Sequence, residues 1–414
     1  MTSDQSYPFG YCTNVHAGVD FAAAKHNLEE IACRVRDLTT AGRSLPVGLW
    51  LAEPAARVLS EGDHAARFRD WLSERGLKPY TFNGFPQGDF HQEIVKHAVY
   101  EPDWRSESRL NYTLKLIDIL AALLPEGGCG SISTLPLGWP HQDWQTKDYR
   151  AAADHLLRAA AHLKQTALQT GVEIVLAVEP EPGCVLDTAD DLEHFFTRYL
   201  FRSDNRIADE ETARRHLTVC HDICHSAVMF EPQETALSRY ASAGIRLGKV
   251  QVSAAVSAAW SSDPADDLPN QDESLAQLSR FNEPRYLHQT TRCMKATDDL
   301  NQEQATEIVD DLSIALASWK NEPQRMTRDQ WRVHFHVPIF VDRFGALRAT
   351  QSDIRIAVAP INSLMNEQAA GRPWFTGHYE VETYAWGVLP EHLKTATLAE
   401  GIAQELQFFE SVVG

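Results

Sequence analysis

The sequence predicts an α/β fold closed into a single eight-stranded barrel, on three observations. Short apolar segments alternate with longer stretches of helical period along most of the chain, the pattern of parallel strands joined by helical crossovers. Polar and ionisable residues gather just past nearly every apolar segment, and closing the sheet brings such residues onto one rim, where an open sheet would spread them along an edge. No glycine-rich turn follows the first segment, which ends Tyr11-Cys12-Thr13-Asn14-Val15-His16. The doubly wound nucleotide-binding alternative therefore lacks its signature.

The elements follow in order. Phe9 to His16 is the first strand segment, and Asp20 to Leu38 is helical, with Leu28, Ile31, Val35 and Leu38 on one face. Val47 to Ala52 precedes a helix near Asp63 to Glu74, and Pro79 to Phe85 precedes one near Glu107 to Leu124. Ser131 to Leu137 leads to an Ala/Leu-rich helix, Tyr149 to Thr170, which stops at Gly171. Glu173 to Val178 leads to a helix opened by Thr188, with Asp191 three residues on as a capping carboxylate. Leu217 to His221 precedes a helix near Pro232 to Ala243, and Ile245 to Ser253 is the seventh strand.

The rhythm then breaks. Residues 254 to 330 read as an insertion within a barrel spanning 1 to 414, with a Ser/Asp/Pro-rich loop at Ser261 to Asp267, a strand-like Arg285 to Thr290 and a long helix through Leu312 and Trp319. Arg332 to Val337 and Tyr379 to Tyr384 are further strand candidates, so there are more than the eight a barrel needs.

Composition narrows the function classes. With 57 acidic against 38 basic residues the formal charge is −19, which repels phosphate backbones, so nucleic acid is not an expected partner. The most apolar helical run, Leu114 to Leu124, contains Lys115 and Asp118, so no membrane insertion is expected. The 7 cysteines are scattered without a paired Cys-x-x-Cys spacing, and Met1-Thr2-Ser3-Asp4 is unlike a secretion signal. A reducing cytoplasmic setting is the expectation.

Three motifs carry chemistry. Val178-Glu179-Pro180-Glu181-Pro182-Gly183 ends a strand with two carboxylates on a proline-restricted backbone, the alternative being a merely polar loop. His221-Asp222-Ile223-Cys224-His225 places a hard carboxylate and an imidazole at one turn, a pairing that suits Mn²⁺ or Zn²⁺; a helix cap beside a surface histidine is its plainer reading. His334 and His336 share a face of their strand, as do Glu380 and Glu382, with Glu380 at the deeper and more structural end. Cys220 and Cys224 read as core residues.

Together these features resemble the xylose-isomerase-like TIM barrels: a strand-terminal Glu, Asp-x-x-His one strand later, a polar residue on the next strand and a Glu on the last. More closely, Gly10 to His16, Asn83-Gly84-Phe85-Pro86, Ser131 to Thr134, Glu179 to Cys184, Tyr286-Leu287-His288-Gln289, Val333 to Pro338 and Val381-Glu382-Thr383-Tyr384 resemble the EboE-like metabolite-traffic proteins. The first resemblance covers sugar isomerases and epimerases as well as zinc endonucleases of abasic sites.

The resemblance implies a divalent metal held by Glu179, Asp222 and Glu382, with Mg²⁺ or Co²⁺ as options beside Mn²⁺ and Zn²⁺. The usual seventh-strand His is replaced by Gln251, so Gln251, His334 or His336 is left to complete the set. Glu179 and Glu382 are the implied acid/base pair of an isomerase or epimerase acting on a sugar, a cyclitol or their phosphates, where a cation on a carbonyl and its neighbouring hydroxyl eases proton removal. His225, His16, Asn83, Lys249 and Trp50 are the expected substrate contacts, with Phe85, Trp139 and Trp386 as further ring-stacking candidates. A metal-dependent phosphodiesterase and a non-catalytic metabolite-binding barrel are the alternatives. Assembly into a homo-oligomer is left open.

Overall fold

The structure is a computed structural model, and it describes residues 9–40, 43–141, 144–260, 268–294, 305–319, 329–364, 368–369, 371–394 and 396–414. Seven strands come first: β1 (Gly10–Cys12), β2 (Leu45–Trp50), β3 (Leu77–Asn83), β4 (Cys129–Thr134), β5 (Glu173–Val178), β6 (Leu217–Asp222) and β7 (Leu247–Val252). The eighth barrel strand is far along the chain, β16 (Tyr379–Val381), which pairs with both β7 and β1 and closes the barrel. Every pair is parallel, Tyr11 lying opposite Val381 and Val381 opposite Val252. Strands buried on both faces explain the near-continuous apolar runs of the sequence.

The helical crossovers follow the local signals. Thr188 caps the helix Ala189–Phe195 by accepting the Asp191 amide, and Thr146–Thr170 ends at Gly171 in the left-handed region at φ 71°, where a Cβ would be strained. That helix turns Ala152, Leu156, Leu157, Ala160 and Leu163 toward the barrel. No helix among the described residues is long and apolar enough to cross a membrane.

Between β7 and β16 the chain builds a second, antiparallel sheet from β8 (Val256–Ala259), β9 (Thr290–Met294), β10 (Ala305–Val309), β11 (Asp329–Val333), β12 (Arg343–Phe344) and β13 (Leu347–Ala349), in the order β10-β9-β11-β8-β13-β12. A short hairpin, β14 (Gln368–Ala369) and β15 (Arg372–Pro373), follows. The strand expected over Arg332 to Val337 is therefore corrected: it is β11, it ends at Val333, and it belongs to the second sheet. The reason is long-range pairing with β8 and β9, which local alternation cannot reveal. Likewise the expected strand Arg285 to Thr290 begins only where that span ends, and the helix through Leu312 and Trp319 is Leu312–Trp319. The loop 261–267 lies outside the described residues.

After Val333 the chain crosses the barrel mouth, with the His334 amide donating to Gln289 O at 2.8 Å and the Val337 amide to Ala254 O at 3.0 Å. His334 and His336 are thus delivered to the barrel rim from the neighbouring sheet. Deeper in the barrel, Lys249 and Glu380 form an ion pair at 2.8 Å with both side chains fully buried, and Glu380 is also hydrogen-bonded by Thr81. Gly48 makes this pair fit, because a Cβ there would overlap the Glu380 carboxylate.

Candidate metal centre

The site is assembled from strand ends. Just past β5, the Glu179 amide donates to Thr134 O on the adjacent strand at 3.0 Å, and Gly183, at φ 77°, turns the chain after the second carboxylate. Asp222 is both the last residue of β6 and the cap of the helix Ile223–Val228. Its Oδ1 accepts the His225 amide at 3.0 Å and the Ser253 hydroxyl at 2.7 Å, while its Oδ2 has no hydrogen-bond partner. Past β16, Glu382 Oε1 accepts Asn14 Nδ2 at 2.6 Å and Asn83 Nδ2 at 3.0 Å, so β1, β3 and β16 jointly hold one carboxylate.

Glu179, Asp222 and Glu382 each offer an oxygen, and the three lie within 4.8 Å of one another. Alongside this carboxylate pole is an imidazole pole. Ligand atoms of Asp222, His225 and His336 share the same spacing, as do those of Glu181, His225 and His334, and Cys224 flanks His334 and His336. Asp222 belongs to both poles.

The outer hydrogen bonds fix how the rings present themselves. His225 Nδ1 meets Pro180 O at 2.8 Å and His336 Nδ1 meets Glu382 O at 2.9 Å; a carbonyl only accepts, so both Nδ1 atoms carry the hydrogen. His334 Nδ1 meets Gln289 Oε1 at 2.8 Å, and the Gln289 amide nitrogen is turned to Tyr100 and Glu181. Each ring therefore turns its Nε2 inward, the orientation that outer partners impose on metal-ligating histidines.

Burial dominates the electrostatics. The Glu179 carboxyl is pushed well above the usual range by burial and then by the Glu382 and Asp222 carboxylates. Glu382 is pushed up to about 8, by burial first and the Asp222 charge next, against the pull of Lys249. Burial pushes Asp222 up too, but the facing His225 and His336 rings, with the Ser253 hydroxyl and the His225 amide, together more than offset it and leave the group below its ordinary value. His336 is lowered to about 4 and His334 well below its ordinary value, both mainly by burial. Like charges this close cannot all ionise on their own.

Glu179 Oε2, Asp222 Oδ2 and His336 Nε2 are buried atoms with no hydrogen-bond partner. A cation satisfies such a set, and three carboxylates beside imidazoles suit Mn²⁺, Zn²⁺, Co²⁺ or Mg²⁺. The residues present fit a divalent ion. Glu179, His336 and Glu382 border a cavity whose lining is otherwise largely apolar and aromatic, with Phe85, Phe90, Tyr100, Tyr286 and Tyr384 in it.

Of the expected site residues, Glu179, Glu382, His225, His334, His336 and Asn83 line this cavity, and Asp222 joins them through both poles. Gln251 stands in register between Asp222 and Glu380, fully buried, with neither amide atom hydrogen-bonded. Three expected substrate contacts are corrected. Lys249 is sealed inside the barrel on Glu380 and Ser133, because side-chain parity points it inward but one layer too deep. His16 and Trp50 line a separate small cavity with Thr13 and Leu28: His16 Nε2 lies 3.2 Å from Tyr11 Oη and Trp50 Nε1 donates to Pro86 O at 2.9 Å. Among the ring-stacking candidates Phe85 lines the cavity, whereas Trp139 packs on Tyr100 and His97. Glu181, the second carboxylate of the acid-proline motif, and Asn14, Tyr286, Gln289 and Tyr384, each within a motif of the sequence, were given no role of their own there, and Tyr100 carried no signal; all six belong to the site.

No family model matches the chain, and no curated protein matches it. Among solved structures it is similar to an L-ribulose 3-epimerase, at 17% identity over 59% of this chain and 68% of that one, with a TM-score of 0.38. It is similar to a xylose isomerase-like TIM barrel protein from Mycobacterium smegmatis in complex with magnesium, at 13% identity over 100% of this chain and 98% of that one, with a TM-score of 0.48. A third similar structure is that of the IOLI protein with a zinc atom, at 12% identity over 98% and 97% of the two chains and a TM-score of 0.42. The barrel itself is established by the closed ring of parallel strand pairs.

Proposed function

We propose that this chain is a divalent-metal-dependent isomerase or epimerase acting on a small polyhydroxylated substrate, a sugar, a cyclitol or a phosphate of either. One observation carries the reading: Glu179, Asp222 and Glu382, from three separate strand ends, bring carboxylate oxygens within 4.8 Å of one another, and Glu179 and Glu382 line the cavity. The cation, when bound, supplies Lewis-acid polarisation of a carbonyl and its neighbouring hydroxyl. The chain's own residues do the rest. Glu179 and Glu382 are the candidate acid/base pair: burial raises both carboxyls, a cation that they hold lowers them, and their basicity is set by that balance. Asn14 and Asn83 orient Glu382 by donating to its Oε1. The aromatic wall of Phe85, Phe90, Tyr286 and Tyr384 keeps water from the reacting carbon and offers faces to a ring. The place of this reaction in small-metabolite biosynthesis or traffic, within the cytoplasm, is part of the same proposal and follows from the sequence resemblance.

A hydrolytic reading is favoured by one feature, the imidazole pole, since two adjacent cations suit phosphodiester cleavage. Its substrate would be a small diester, because a charge of −19 opposes a polyanion. The test is to measure bound metal in the purified chain, then follow solvent deuterium into a panel of free and phosphorylated ketoses, aldoses and inososes, with an aryl phosphodiester in parallel. Metal together with deuterium at a carbon next to a carbonyl is the expected result. Diester cleavage without exchange moves the assignment to the hydrolase, and a chain that retains no metal and catalyses neither reaction is a binding barrel.

A further inference from the structure

The two ligand-bearing segments that arrive last in the chain share no strand. His334 and His336 follow β11 of the second sheet, and Glu382 follows β16 of the barrel. One carboxylate outside the site holds both. Glu405, in the C-terminal helix Leu398–Val413, is only 1% exposed. Its Oε1 accepts the Ile339 amide at 3.1 Å and the Thr383 hydroxyl at 2.5 Å, and its Oε2 accepts Trp386 Nε1 at 3.4 Å. Ile339 is three residues past His336, and Thr383 is the residue after Glu382. The Trp386 ring in turn lies against Gly401 of the same helix, so closely that a Cβ there would come within 2.2 Å of it.

Packing alone does not explain this arrangement. The helix otherwise buries Ala399, Ile402, Ala403, Leu406 and Phe409, and a buried carboxyl among them is unfavourable unless its hydrogen bonds are needed. The bonds it makes go to the two segments that must hold station relative to each other, and these already touch through His336 Nδ1 and Glu382 O at 2.9 Å. We propose that Glu405 is a positioning residue: it latches the His334–His336 segment and the Glu382 segment to the C-terminal helix and so sets the spacing between the imidazole and carboxylate poles. The proposal rests on the metal reading of those poles.

The test uses Co²⁺ as the probe, titrated into the chelator-treated full-length chain, reading the visible absorption of the bound ion and its affinity. Loss of a partner bonded directly to a metal ligand costs about 10–100-fold in affinity, and Glu405 acts one step further out, so Glu405→Leu is expected to weaken Co²⁺ binding by up to about tenfold and to alter the band shape, while Glu405→Gln, which keeps an acceptor, is expected to weaken it less. Should the leucine variant fail to fold by circular dichroism, Thr383→Val decides instead: weaker Co²⁺ binding supports the latch, and unchanged binding overturns it. Wild-type affinity and spectrum in a folded Glu405→Leu protein overturn the latch alone. A wild-type chain that takes up no Co²⁺ overturns the metal reading and the latch together.

Discussion

His225 Nε2 and His334 Nε2 face each other at 3.2 Å, and each ring has already committed its Nδ1 hydrogen, to Pro180 O and Gln289 Oε1 respectively. At that separation at most one of the two Nε2 atoms carries a hydrogen, and a cation at the shared position can bond both. Binding to the folded state alone stabilises it by mass action. Zn²⁺ or Mn²⁺ at a hundredfold excess over its dissociation constant is therefore expected to raise the unfolding free energy of the chelator-treated protein by about 3 kcal/mol. Urea unfolding with and without the ion checks this; superimposable curves would refute it.

Asp222 belongs to both poles, whereas Glu179 belongs to the carboxylate pole only. Asp222→Asn is thus expected to retain less metal than Glu179→Gln. Glu179→Gln should retain an ion on the histidines. Elemental analysis after gel filtration distinguishes the two variants, and equal metal content in both, at the wild-type level, would sink the assignment of these residues as ligands.

The convergence of Glu179, Asp222 and Glu382 was legible in the sequence because a residue just past an apolar barrel strand has little choice but to sit on the rim. What was not legible depends on partners remote in the chain. Arg332 to Val337 reads as one more barrel strand until the pairing of Arg332 with Ser257 and Thr291 is known. Lys249 has the parity of an inward residue, but its depth is set by Glu380 across the β7/β16 pairing, where Gln251 opposes Glu380. Asp222 shows why two competing readings of one motif need not exclude each other: one oxygen caps a helix and the other faces the site. Glu405 gives no local sign at all, since a glutamate in an amphipathic helix looks like a solvated position until Thr383 and Ile339 are brought against it.

Glu405 also makes a prediction about stability and pH. Burial, only partly offset by Thr383, the Ile339 amide and Trp386, pushes its carboxyl from an ordinary 4.5 up to about 7. A carboxyl raised in the folded state favours folding fully below its unfolded value, and that contribution is lost as pH rises through the folded value. Between pH 5 and 8 the wild type should therefore lose on the order of 3 kcal/mol that Glu405→Gln keeps. Urea midpoints of the two proteins across that range provide the measurement, and parallel profiles would show that Glu405 does not titrate in this way.

The aromatic wall of the cavity also depends on a cation that does not line it. Arg109, fully buried on the helix Glu107–Leu123, donates from Nε to Pro102 O at 2.8 Å and from Nη1 to Gly84 O at 2.9 Å and Phe85 O at 3.0 Å. Burial lowers it to about 10, so it stays charged at neutral pH while pinning the turn that carries Phe85 into the cavity wall. Removing the guanidinium leaves these carbonyls unpaired in an apolar interior. Arg109→Leu is expected to cost roughly 2–4 kcal/mol of unfolding free energy, since a buried group stripped of its partner costs about 1–3 kcal/mol by itself. A lysine lacks the planar fork that spans Pro102 and the Gly84-Phe85 turn together, so Arg109→Lys should recover only part of the loss. Chemical denaturation of both variants tests the argument, and a leucine variant as stable as wild type would mean that the turn is held by its own packing instead.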